Sequence, residues 1–318
     1  MTTTTRILSL DEIKAALEGF DPVAAMEPAF RAFSAGQAVV PPPGELLFEN
    51  PPGDVHIKYG YIDGGAHYVV KIASGFYENP ARGLPSSNGL MLAFSRQTGE
   101  LAAILDDQGY LTDLRTAAAG AIAAKYLAPA KIEVIGVIGT GMQAELQARL
   151  LQAVRPCRRI IVWGRRAEGA ADYAQRLEKH GFAVEIAASP DEVAKRCRLI
   201  VTTTPSIAPL LRASAVQAGT HITAMGADTP GKQELDPALF EAADIIAVDS
   251  RVQGSLRGDL KCALAAGTVE LSRVVELGEI IANRAAGRTA RDQITIASLT
   301  GLAVQDVAIA CAVLARVS

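Results

Sequence analysis

The sequence predicts an α/β protein in two parts, and three observations carry that prediction. Residues 132–248 alternate short, β-branched apolar runs with segments of crossover length, the pattern a parallel sheet requires. Residues 45–106 hold five strand-like runs without helices between them, which indicates a separate antiparallel or mixed sheet. Helical apolar spacing fills both ends, and 318 residues, 49% of them hydrophobic, suffice for more than one core.

Taken from the N-terminus, residues 10–37 read as two helices, with Asp11 and Asp21 as candidate N-caps and Pro22 at a first helical position. Pro41, Pro42, Pro43 and Gly44 end them. Strands are expected at 45–48, 55–61, 67–73, 89–95 and 101–106, separated by Gly, Pro and Asn turns. An Ala-rich helix over 111–127 opens at Thr112 or Asp113, ends at Pro129 and carries the chain into the second part. Strands follow at 133–138, 159–163, 183–187, 199–203, 221–225 and 245–248. From Thr295 on the chain reads as helical again and returns to the first part. The expected domains are therefore 1–115 with 296–318, and 116–295, with a ligand cleft between them.

The turn after the first strand of the second part is the most informative stretch. Gly139 allows a tight turn, Gly141 lets a phosphate approach the backbone, and Ala144 keeps the next helix close to the strand. This is the GxGxxA form of the Rossmann dinucleotide fingerprint, and Thr140, Met142 and Gln143 complete the loop and helix start that would face a pyrophosphate. A glycine triplet alone is weak, but a helix over 143–154 and a second strand at 159–163 supply its context. Thr203 and Thr204 follow the fourth strand and are expected along the cofactor; a polar strand end is the plain alternative. After the second strand, Trp163, Gly164, Arg165 and Arg166 offer no acid for ribose hydroxyls. Arg165 suits a 2′-phosphate or stacking on adenine, so NAD and NADP both stay open.

Composition narrows the partners. A net charge of −3 gives no reason to expect nucleic acid or an anionic membrane. Cys157, Cys197, Cys262 and Cys311 are scattered and fit reduced thiols, and the few histidines make a metal cluster an unexpected feature. Residues 1–10 are Thr-rich without a signal-peptide core, and the apolar run 294–317 is interrupted by Gln305 and Asp306, as a packed helix rather than a membrane span. A cytoplasmic protein is expected.

Three ionisable residues stand out. Lys71 lies in a strand whose neighbours are apolar or small, where a lysine either reaches out at an edge or serves a purpose. Arg115 sits near the start of an apolar helix, where a cation is unfavourable unless an anion offsets it. Asp228 lies just past a strand, where open α/β sheets place their ligands, although a turn carboxylate is the ordinary reading.

Together these segments resemble the ornithine cyclodeaminase/μ-crystallin family over most of the chain. The resemblance rests on Val70-Lys71-Ile72, Gly83-Leu84-Pro85-Ser86, Leu111-Thr112-Asp113-Leu114-Arg115-Thr116, the Gly139–Gln143 turn, Gly226-Ala227-Asp228-Thr229-Pro230-Gly231-Lys232, and Gly301-Leu302-Ala303-Val304-Gln305-Asp306. It implies a homodimer whose discontinuous α+β domain holds substrate and interface, beside a Rossmann-type domain holding a nicotinamide cofactor. It further implies that Lys71 and Arg115 grip a substrate carboxylate, that Lys71 polarises the reacting centre, and that Asp228 exchanges protons with the substrate nitrogen. Ser86 would lie near the cofactor or substrate, and Arg115 near the cofactor as well. The implied activity is NAD(P)H-dependent reduction of a small α-imino acid. Alternatives are ornithine cyclodeamination with bound NAD, alanine dehydrogenase or ketimine reductase activity, and ligand binding without turnover.

One departure matters. Many relatives carry an arginine after the proline-rich stretch, and Pro43, Gly44, Glu45 and Leu46 offer none. His56 and Lys58 alternate on a strand and so share a face. A solvated face is the ordinary reading; contact with a second substrate carboxylate is the sharper one. The latter points to iminosuccinate, reduced to L-aspartate, and away from ornithine.

Overall fold

The computed structural model describes residues 5–76 and 78–317, so residues 1–4 of the Thr-rich start lie outside it. Its contacts cluster into two units, residues 1–115 with 302–318, and residues 116–301.

The first unit is built on a seven-stranded sheet: β1 (Arg6–Leu8), β2 (Ala38–Val39), β3 (Gly44–Glu49), β4 (Pro52–Ile62), β5 (His67–Phe76), β6 (Ser87–Ser95) and β7 (Leu101–Leu105). The order is β1-β7-β6-β5-β4-β2, with β3 also on β4, and all pairs except β1 with β7 are antiparallel. Helices α1 (Leu10–Ala16) and α2 (Pro22–Ser34) precede the hairpins. Asp21 caps α2, with Pro22 opening it, but α1 is capped by Ser9 in a capping box with Glu12, not by Asp11. The expected window began at Leu10 and so overlooked the serine before it.

Register sorts the strand residues onto two faces. Lys58 pairs Lys71, which pairs Met91, which pairs Leu105; Glu45 pairs His56, which pairs Ala73. That face is covered by the C-terminal helix, Ala303–Val317, which packs on β4, β5 and α2. The opposite face presents Leu46, Phe48 and Tyr59, all exposed, beside half-buried Val55, Ile57, Val70 and Ile72. It is an apolar sheet surface without a covering layer in the unit itself.

Helix α3 (Tyr110–Leu127) crosses the boundary between the units at Arg115. It starts earlier than Thr112 or Asp113 because the Asp107 carboxylate accepts the Leu111 N–H at 2.7 Å, satisfying a first-turn donor from just outside the helix.

The second unit holds an eight-stranded, all-parallel sheet. Its strands come from β8 (Ile135–Ile138), β9 (Arg159–Trp163), β10 (Ala183–Ile186), β11 (Leu199–Thr202), β13 (His221–Ala224), β15 (Ile245–Val248), β16 (Val274–Glu276) and β17 (Thr295–Ser298), while β12 (Ile207–Leu211) and β14 (Gln233–Leu235) form a separate pair. The order is β10-β9-β8-β11-β13-β17-β15-β16. The order in which strands are added reverses between β8 and β11, which run parallel, and this is the switch point where such sheets bind ligands. Helix α4 (Met142–Leu150) follows β8 and α5 (Ala167–Glu178) follows β9. Segment 295–298 corrects the expectation of helix from Thr295: it is a fully buried strand between β13 and β15, and it keeps the unit boundary at 302 rather than 296. Only residues 299–302 separate it from the apolar C-terminal helix, so one hydrophobic window spans both. Among the described residues no helix is long and apolar enough to cross a membrane.

Candidate functional site

In the first unit the central observation is a buried charge cluster. Lys71 is 2% exposed and Arg115 4%, and both meet Asp306, itself 1% exposed, from the C-terminal helix. Arg115 Nε donates to Asp306 Oδ1 at 2.9 Å, and Lys71 Nζ lies 3.4 Å from Oδ2. The anion that Arg115 needs near its helix start is thus supplied by the protein. Gln305 reinforces the arrangement, accepting from Leu302 N and donating to the Arg115 carbonyl. Burial, aided by the Arg115 and Lys58 charges, pulls the Lys71 ammonium down to about 7 against the pull of Asp306. Burial likewise holds the nearby Asp107 carboxyl up at about 6. Lysine at this poise changes charge near neutral pH, and the surrounding cations favour an arriving carboxylate.

Strand β4 carries His56 and Lys58 on the same face, both buried rather than solvated. His56 Nδ1 lies 3.4 Å from Glu45 and Nε2 3.4 Å from Asp54. The His56 ring is therefore held between two carboxylates, while Lys58 shares the row of Lys71. Ser86 is exposed in the loop before β6, where its carbonyl accepts from Phe76 N, and among the described residues it makes no hydrogen bond to the cluster.

The second unit supplies the dinucleotide turn. Gly139 has φ +124°, and a Cβ there would stand 2.5 Å from Thr203 Oγ1, so both backbone and neighbour demand glycine. Gly141 opens α4 with no side-chain cap, and a Cβ on it would meet nothing within 4 Å, which leaves the helix N–H groups facing open space. The buried Thr203 hydroxyl has no partner. A cavity of about 290 Å³ lies here, bounded by Gly139, Thr140, Gly141, Arg165, Thr203 and Thr204 among others. These features fit a dinucleotide phosphate and its adenosine. Met142 is exposed at the start of α4 and Gln143 half-buried beside it; neither borders this cavity.

Asp228 lies after β13 in the second unit, half-buried, with Lys232 Nζ 2.8 Å from its Oδ1. Its loop is anchored by a residue the sequence reading passed over. Glu234 is fully buried and accepts from Thr202 Oγ1, Thr204 N, Thr204 Oγ1 and Gly226 N, tying the ends of β11 and β13 together. Burial and the adjacent Asp259 raise Glu234 to about 7, while burial raises Asp259 to about 6.

The reading also missed Asp306 as a site residue. Its signal is the Gln305-Asp306 interruption of an apolar helix, which in the sequence weighs against a membrane span and belongs to a motif of the family resemblance without pointing to a role for Asp306. Asp107 and Glu234 gave weaker signals, since single carboxylates in Asp-Asp-Gln-Gly and Lys-Gln-Glu-Leu contexts read as turn residues.

With this geometry in place, comparison with known proteins is informative. The profile described as the ornithine cyclodeaminase/mu-crystallin family matches residues 3–318. The solved structure of an archaeal alanine dehydrogenase dimer with bound NAD superposes with a TM-score of 0.90 at 36% identity, covering 98% of this chain and 95% of that one. The Δ1-pyrroline-2-carboxylate reductase of Thermococcus litoralis, solved with NADH and L-proline, gives 0.93 at 26% identity, covering 98% and 97%. The iminosuccinate reductase of Paracoccus denitrificans is 36% identical over 255 residues, 80% of this chain and 78% of that protein.

Proposed function

The chain belongs to the ornithine cyclodeaminase/mu-crystallin family, and from that premise we propose that it is a nicotinamide-dependent oxidoreductase that reduces a small α-imino acid to an L-amino acid. The observation that carries this reading is the buried Lys71–Arg115–Asp306 cluster in a chain that also holds the dinucleotide turn. When bound, the dinucleotide supplies the hydride that converts C=N to CH–NH. Lys71 and Arg115 hold the substrate carboxylate, displacing part of their hold on Asp306 and fixing the imine carbon in place. Protonated Lys71 also draws electron density from the reacting centre. Asp228, protonated from solvent between turnovers, passes that proton to the nitrogen as the carbon receives hydride, and Lys232 pairs with the carboxylate so formed.

Within this class we assign iminosuccinate as the substrate, giving L-aspartate. Lys58, buried and in register with Lys71, supports a second carboxylate on that face. Likeness to the Paracoccus enzyme supports the same choice. One observation favours a second reading: the carboxylates of Glu45 and Asp54 flanking His56 suit a distal ammonium, as on ornithine, for a cyclodeaminase. Nicotinamide absorbance separates the two. Oxidation of NADH or NADPH with ammonium and oxaloacetate, faster than with pyruvate or a cyclic ketimine, supports iminosuccinate. Ammonia release from ornithine without net cofactor change, with every imine inert, establishes the cyclodeaminase instead.

We further propose that the protein is a homodimer joined through the uncovered sheet face of Leu46, Phe48 and Tyr59, in keeping with the dimer of the archaeal alanine dehydrogenase.

A further inference from the structure

We propose that the cavity at the carboxyl end of β9 is a binding site for an adenosine 2′-phosphate, and that the protein therefore uses NADPH in preference to NADH. The inference rests on the dinucleotide reading above and adds to it the chemistry of the adenosine end.

In a sheet of this topology the residue at the end of the second strand faces the adenosine ribose, and a carboxylate there accepts both ribose hydroxyls while repelling a 2′-phosphate. Strand β9 ends at Trp163, and Gly164, Arg165 and Arg166 follow it into the wall of the cavity. No carboxylate borders that cavity among the described residues. Glu168 lies beyond it in the first turn of α5. Gly164 keeps the passage short, since a Cβ on it would stand 2.5 Å from Thr140 Cγ2. The loop therefore lies close to the dinucleotide turn, and the two arginines border the same cavity as that turn.

The arginines themselves are uncommitted. Most other arginines of this unit are engaged: Arg176 with Glu145, Arg196 with Glu185 and Glu192, Arg251 with Glu279. The Arg165 and Arg166 guanidinium groups are exposed and have no hydrogen bond or ion pair among the described residues. Two free guanidinium groups on an acidic protein, beside a cavity without an acid, form a local site for a dianion that a ribose hydroxyl cannot exploit. Stacking of one arginine on adenine would not explain the second, and it would serve both dinucleotides equally.

The test is calorimetric titration of the full chain, without substrate, using adenosine 2′,5′-bisphosphate and AMP, which differ only in the 2′-phosphate, at a pH near 7.5 and low salt. The bisphosphate is expected to bind roughly 10–100-fold more tightly, as charge-assisted hydrogen bonds to one phosphate would give. In Arg165→Ala/Arg166→Ala that ratio should fall at least tenfold, and it should also fall with added salt. Equal affinities for the two nucleotides, or equal loss of both in the double variant, would overturn the inference. Parallel titration with NADH and NADPH separates it from its premise. If both dinucleotides bind with the same affinity, the 2′-phosphate site is wrong and the dinucleotide site stands; if neither binds, both fall.

Discussion

Replacing Asp306 should cost more than replacing any other residue of the cluster. The carboxylate is 1% exposed and faces two buried cations, at 2.9 Å from Arg115 and 3.4 Å from Lys71. Asp306→Ala strands both charges, and breaking a buried pair by removing one partner costs about 3–5 kcal/mol. For a chain of 318 residues that lowers Tm by roughly 4–8 °C. The loss depends on pH in a direction that can be derived. Folded Lys71 titrates at about 7, far below its ordinary 10.5, so between those values the unfolded state binds more protons and stability rises with pH. Without Asp306 the folded value drops further and that window extends downward. At a pH near 8.5 Lys71 is neutral in parent and variant alike and the difference reports mainly Arg115, which cannot neutralise. Near pH 6 the variant is charged less readily than the parent and the deficit is larger. Scanning calorimetry at the two pH values measures both effects. The combined variant Lys71→Met, Arg115→Met, Asp306→Leu should recover most of the stability, because the penalty lies in uncompensated charge. An Asp306→Ala protein that melts within a degree of the parent at both pH values would show that Asp306 does not compensate the two cations.

Other outcomes follow from the same geometry. Since the free-enzyme Lys71 titrates at about 7 and its charged form receives the carboxylate, kcat/KM should fall as pH rises through that value; Lys71→Met should be much less active and lack that limb. Asp228→Asn should lower kcat roughly 10²–10⁴-fold with a smaller change in KM, measured by nicotinamide absorbance. The Glu234 carboxyl holds its proton to about 7 when folded and releases it near 4.5 when unfolded, so its contribution to stability falls as pH rises across that window. The Tm of Glu234→Gln should therefore gain on the parent as pH rises from about 5 to about 7.5; parallel curves would show that Glu234 stays ionised. Tyr59→Arg should shift the mass measured by light scattering from two chains to one, and an unchanged mass would place the dimer contact elsewhere.

Much of this architecture could be read from residues alone because the informative signals are local. The Gly139–Ala144 turn states its geometry in three small residues, and the hairpins of the first unit are punctuated by Gly, Pro and Asn. What escaped was set by distance along the chain. Asp306 meets Lys71 and Arg115 only because the C-terminal helix returns across β4 and β5. His56 and Lys58 share a face as alternation requires, yet only the register of β3 shows that Glu45 stands beside His56. Strand β17 is four residues long and relies on β13 and β15 for its hydrogen bonds, so its own sequence could not separate it from the helix that follows.

The central claim is hydride transfer to an imine carbon, and isotope transfer tests it most directly. NADPH or NADH carrying deuterium at both nicotinamide C4 positions is incubated with the protein, ammonium and oxaloacetate, and the amino acid product is analysed by mass spectrometry and NMR. One deuterium is expected on Cα of L-aspartate for each dinucleotide oxidised. Aspartate without deuterium, or no amino acid formed from any imine while ornithine loses ammonia and the dinucleotide stays unchanged, would contradict it.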